Sequence, residues 1–164
     1  MNWQMASRIL CLNLATLKWE GDRIQLNVPR LNPATCFTKS HLYVFGGLGS
    51  SGEDAIAYVG EIERIEAEYI QTAQMDRKCD IIRVRNAGHR TWLKFMDGVA
   101  VLINSNQIMI FGGLRDPDYD EEIDGLLYNW KNNTCESFRE SWGITRTAFH
   151  QPGFVIGSTL LLAQ

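Results

Sequence analysis

The 164 residues contain no Cys-x-x-Cys pair; Cys11, Cys36, Cys79 and Cys135 stand far apart. That spacing excludes the usual structural zinc and dithiol redox motifs, and reduced thiols of a cytosolic protein are the expectation. Histidine is almost as scarce. His41, His89 and His150 are isolated, and no H-x-H or H-x-x-H spacing brings two imidazoles onto one element. A basic surplus is also missing: 16 Lys and Arg against 19 Asp and Glu give a formal net charge of −3. That balance argues against a nucleic-acid partner. No apolar run approaches the roughly 18 residues that cross a bilayer, so no membrane span is expected. The opening MNWQMASRILCLNLATL sets Arg8 before an apolar patch, as a secretory leader does. Asn13 interrupts that patch, however, and charged residues follow Trp19 where a cleavage site needs small ones. The sequon Asn132-Asn133-Thr134 is too common a triplet to imply secretion. A cytoplasmic or nuclear protein without a cofactor is the expectation.

What is present is ordinary in bulk and unusual in arrangement. With 45% hydrophobic and 21% charged residues, the composition suits one globular domain. Within it HLYVFGG (41–47) and QIMIFGG (107–113) each build an apolar strand and stop at paired glycines, Gly46-Gly47 and Gly112-Gly113. Such glycines point to backbone passing where a side chain would clash, to positive φ, or to both. Their downstream landmarks recur. Fifteen residues beyond the second glycine stand Ile62 and Tyr128, and twenty-two beyond stand Tyr69 and Cys135. LNLATLKW (12–19) has the same seven-residue spacing from Leu12 to Trp19. Upstream, ATCFTKSHLYVF (34–45) and GVAVLINSNQIMIF (98–111) read as strand, polar turn, strand, and GFVIGSTLLLAQ (153–164) repeats the scheme around Gly157-Ser158. EIERIEAEYIQTAQM (61–75) is rich in helix formers, yet the matched spacing assigns it to extended outer strands.

These features resemble the kelch repeat, in which an apolar strand ends in Gly-Gly and a tyrosine and tryptophan follow seven residues apart. Gly46, Gly47, Gly112 and Gly113 match the glycines, Tyr128 the tyrosine and Trp19 the tryptophan, with Tyr69 and Cys135 in the latter's place elsewhere. Arg30 and Arg146 precede first strands, where that family often has arginine. The resemblance implies an all-β fold, a kelch-type β-propeller fragment of four-stranded antiparallel blades with strands A to D from the axis outward. Residues 9–22 then give strands C and D of a first blade, 34–75 a second blade, 98–140 a third, and 147–164 strands A and B of a fourth. Propellers close with four to eight blades, so these three blade-equivalents imply either a longer propeller or a homo-oligomer that completes the ring.

Binding on such a scaffold belongs to the long loops. The segment 77–94, read as a D–A connection, carries Arg77, Lys78, Arg83, Arg85 and Arg90. The segment 114–125, a B–C loop, carries Arg115, Asp116, Asp118, Asp120 and Glu121. Neighbouring patches of opposite charge would steer a charged protein partner, and solvation alone is the bland reading. An EF-hand is excluded, because the sixth and twelfth positions from Asp116 hold Glu121 and Leu127 instead of Gly and Glu. Some kelch-type propellers are sugar oxidases or isomerases. The isolated histidines and the lack of a Walker lysine after Gly46-Gly47-Leu48-Gly49 favour a non-enzymatic interaction module. The alternative is a fragment of an enzymatic propeller whose active residues lie outside this chain.

Overall fold

A computed structural model describes residues 5–50, 56–72, 77–85, 92–115, 125–138, 153–156 and 159–162. The chain is all-β and built of antiparallel sheets. In the first sheet β1 (Ala6–Asn13) pairs with the long β2 (Lys18–Leu31). The far end of β2 pairs with β5 (Leu48–Ser50), and β5 with β6 (Ile56–Tyr58). A short β8 (Arg77–Lys78) runs parallel to β2 beside Ile24 and Gln25. The second sheet is a meander of β3 (Ala34–Phe37), β4 (His41–Phe45), β7 (Ile62–Glu66) and β9 (Asp80–Ile82). The third is a meander of β10 (Phe95–Leu102), β11 (Gln107–Arg115), β12 (Gly125–Asn129) and β13 (Thr134–Phe138). A last hairpin joins β14 (Gly153–Ile156) to β15 (Thr159–Leu162). Gly157-Ser158, its expected turn, lies outside the described residues.

Strand alternation decides how the sheets stack. In β4, Tyr43 and Phe45 point one way while Leu42 and Val44 point the other. Tyr43 and Phe45 join Ile62, Ile108, Ile110, Leu126, Tyr128 and Cys135 in the core between the second and third sheets. The Tyr128 ring meets Tyr43 and Phe45 edge-on at centroid distances of 5.9 and 5.6 Å. On the opposite face Val44, Ile65 and Cys79 meet Ile24 and Leu26 of β2, with Ile9 and Cys11 of β1 packed alongside. The second sheet is therefore enclosed on both faces. Along its inner margin β10 neighbours β3 and also β14.

The paired glycines are required by conformation and by space together. All four have positive φ, from +59° at Gly46 to +92° at Gly47. A Cβ on Gly46 would collide with the Phe95 carbonyl oxygen, which instead accepts the Gly47 N–H at 2.6 Å. A Cβ on Gly113 would collide with the Met96 carbonyl. Gly46-Gly47, just past β4, and Gly112-Gly113, within β11, thus both meet the backbone at the start of β10.

Two expectations for 61–75 need correction. Among the described residues of this segment only 62–66 is extended; Ala67–Thr72 forms a short helix, α1, that carries Tyr69. Its run of Ala, Glu, Tyr, Ile and Gln follows local helix preference, and the turn is anchored where the Ala67 N–H donates to the Ser40 carbonyl at 2.7 Å. The outermost strand of the second sheet is β9, which lies within the segment expected to be a loop at 77–94. The landmark spacing also misaligns the two sheets. Leu42 pairs with Ile65 just as Ile108 pairs with Tyr128, so Ile65, eighteen residues beyond Gly47, is the counterpart of Tyr128. Ile62 instead faces the third sheet.

Candidate functional site

The basic segment is partly strand and partly extended chain. Arg77 and Lys78 are the two residues of β8, and Lys78 is exposed. Beyond β9 the alternation continues: Ile81, Arg83 and Arg85 are exposed, while Ile82 and Val84 are buried in the core shared with the third sheet. Anchored between them, Val84 holds the two guanidinium-bearing residues on the outward side. The Arg85 N–H donates to the Asn133 carbonyl at 2.9 Å, which fixes this backbone against the turn between β12 and β13. Arg90 lies outside the described residues, as do Asp116, Asp118, Asp120 and Glu121. Arg115 closes β11 in register with Phe95. Arg115 and Gly125, the two anchors of the acidic loop, stand at the end of the third sheet away from Asn133. Arg85 is therefore docked at the opposite end of that sheet from the acidic loop's anchors. Among the described residues no group of three or more potential metal ligands gathers.

A buried ion pair that the sequence reading passed over joins the first two sheets. Arg30 of β2 and Glu63 of β7 have fully buried side chains, with Arg30 Nη2 donating to Glu63 Oε1 at 2.8 Å. Arg30 Nη1 donates to the carbonyls of Gly46 and Glu61 at 2.8 and 2.9 Å. Glu63 Oε2 accepts the Asn27 amide N–H at 2.6 Å and its side-chain Nδ2 at 2.9 Å, and Oε1 accepts the Val28 N–H at 3.2 Å. Between the stretches of β2 that pair with β8 and β5, this carboxylate takes the place of a neighbouring strand. Charge-assisted bonds at every oxygen are what allow such a pair to be buried. The guanidinium also caps the glycine turn, so Arg30 is a structural residue here. Its signal in the sequence was its position just before β3.

Burial also sets the thiols. Desolvation pushes Cys36 up to about 11 and Cys79 up to about 12, so both stay protonated and poorly nucleophilic at neutral pH. Tyr128 is raised mainly by desolvation, and its hydroxyl donates to Asn133 Oδ1 at 2.6 Å.

The first hairpin presents a different kind of surface. Leu12 and Trp19 are cross-strand partners, and both are exposed, Trp19 at 68%. Leu10, Leu14 and Leu17 are exposed around them. Tyr128 and Cys135 are cross-strand partners in the third sheet and are wholly buried. The seven-residue spacing seen in the sequence is thus a hairpin register. Both hairpins even share one turn: Asn13 Oδ1 accepts the N–H groups of Ala15 and Thr16, as Asn129 Oδ1 accepts those of Lys131 and Asn132. Each turn then ends on a non-glycine residue of positive φ, Leu17 at 54° and Asn133 at 63°. Comparison with protein-family models and with curated protein sequences finds no match.

Proposed function

We propose that the chain is part of a kelch-type β-propeller and serves as a non-enzymatic module that binds a protein partner. Three features support the architecture. The second and third sheets are meanders packed face to face, their first strands β3 and β10 adjoin, and a glycine pair of positive φ follows β4 directly and lies in the last part of β11. The observation that carries the binding reading is the presentation of Arg83 and Arg85 on either side of the buried Val84. Two cations held on an ordered backbone lose less freedom on binding than cations on a free loop, and they select an acidic surface. The partner is accordingly an acidic protein segment, approached from the edge marked by β9, with Lys78 as a further cation on β8.

The test is a capture experiment with the immobilised chain and its R83E/R85E variant. Acidic proteins retained by the parent chain should fall at least tenfold with the variant, while the thermal melt stays within a degree or two because both side chains are exposed. Equal capture by the two proteins would refute the binding surface.

A further inference from the structure

β9 is the outermost strand of the second sheet, and among the described residues no strand lies beyond it. Residues two apart on an extended strand present their N–H and C=O groups to one edge and their side chains to one face. Cys79 shows which edge this row uses. Its N–H donates to the Gln25 carbonyl at 2.8 Å and its own carbonyl accepts Asn27 Nδ2, so neither group is engaged with β7. The ladder to β7 runs instead through Asp80 and Ile82, the partners of Arg64 and Ile62. At the far end of the row the Arg85 N–H is held by Asn133. Between these anchors the alternation is unbroken, with Ile82 and Val84 buried and Ile81 and Arg83 exposed. The backbone groups of Ile81 and Arg83 therefore face away from β7, and no described residue hydrogen-bonds to them there.

We infer that an extended acidic segment of the protein partner adds to this edge as a strand. The inference rests on the basic-surface reading above and specifies how the partner is held. Main-chain bonds to Ile81 and Arg83 supply the grip, and the side chains of the same row select the sequence. Cys79 lies buried against Ile24 and Leu26, and the row emerges from beneath the first sheet at Ile81, 48% exposed, followed by Arg83 and Arg85. Asp80 belongs to the other face, where its carboxylate lies 3.8 Å from Arg64 Nε, so the row itself carries only positive charge. A second copy of this edge would bring two rows of like charge together, which disfavours self-pairing. Running antiparallel, the added segment meets Arg85, Arg83 and Ile81 in that order. Cross-strand pairing then calls for an acidic residue, a second acidic residue two places on, and a β-branched apolar residue two places beyond that. Because its N–H is already held, Arg85 acts on the segment through its charge.

The test is a fluorescence-anisotropy titration of the chain with the labelled peptide Thr-Glu-Thr-Glu-Thr-Val-Thr and two N-methylated forms of it. Backbone methyl groups on the second glutamate and the valine block the N–H groups aimed at Arg83 and Ile81. Methyl groups on the two threonines flanking that glutamate block N–H groups that point away from the edge. The parent chain should bind the plain peptide and the outward-methylated form alike, and the inward-methylated form about tenfold or more weakly. R83E/R85E should lose the plain peptide while its circular dichroism melt matches the parent's. Equal affinity for all three peptides, lost together in R83E/R85E, refutes strand addition and leaves the basic surface standing. A parent chain that retains acidic proteins yet binds none of the peptides overturns the proposal in the same way. Peptide binding that survives R83E/R85E refutes both readings.

Discussion

At the scale of the residue, the strongest constraint on the molecule is the pair Arg30 and Glu63. Both side chains are withdrawn from water and leave no room for a hydrated replacement. Removing either partner strands the other in the core, which costs about 3–5 kcal/mol. E63A should therefore unfold at much lower denaturant concentration than the parent, whereas R30M/E63L should recover only the part owed to the stranded guanidinium, because the Asn27 and Val28 N–H groups and the Gly46 and Glu61 carbonyls still lose these bonds. Chemical denaturation of the two variants side by side measures this, and equal midpoints would contradict it. The paired glycines were legible in the sequence, because only crowding or positive φ explains repeated Gly-Gly at the end of an apolar strand. The ion pair was not. Glu63 sits in a charged run, EIERIE, that gives no hint which of its three glutamates turns inward.

At the scale of the element, α1 shows why equal spacing misled. Ile62 and Tyr69 repeat the seven-residue interval of Tyr128 and Cys135, but the helix between β7 and β9 breaks the hairpin that gives the interval meaning. Ile82 is the true cross-strand partner of Ile62. Within 61–75 the helix-forming composition carries the correct local signal for Ala67–Thr72 and the wrong one for Ile62–Glu66. The consequence is measurable. I65A, which empties a buried position between two sheets, should cost about 2–5 kcal/mol. Y69A, at a position 36% exposed, should cost less than half as much, and comparable losses would restore Tyr69 to the core. The asparagine shared by LNLATLKW and YNWKNNTC was a further unread signal, since it builds the same turn in both hairpins.

At the scale of the whole molecule, three of the four cysteines and Tyr128 belong to buried clusters, so alkali acts on the fold through them. Cys36 and Cys79 hold their protons in the folded state to about 11 and about 12, against 9.0 for a free thiol. Above pH 9 the unfolded chain binds fewer protons than the folded one, so stability is complete below that point and declines as pH rises through it. The melting temperature should be level near neutrality and fall steadily above pH 9, less steeply in C36A/C79A. A parent chain whose melting temperature is unchanged up to pH 11 would show that these thiols are solvated. The antiparallel sheets and several turns could be read from strand alternation and polar tips. The placement of 77–85 could not, because Arg83 and Arg85 look like loop residues until Val84 is seen inserted between the sheets.

The Glu63 carboxylate has one further implication, for heredity. Three donors on β2 and a guanidinium converge on its two oxygens, and glutamine would offer them a single acceptor and an opposing N–H pair. A random library sorted for soluble expression should keep positions 30 and 63 unaltered or change them in concert, leaving few survivors with one replaced alone.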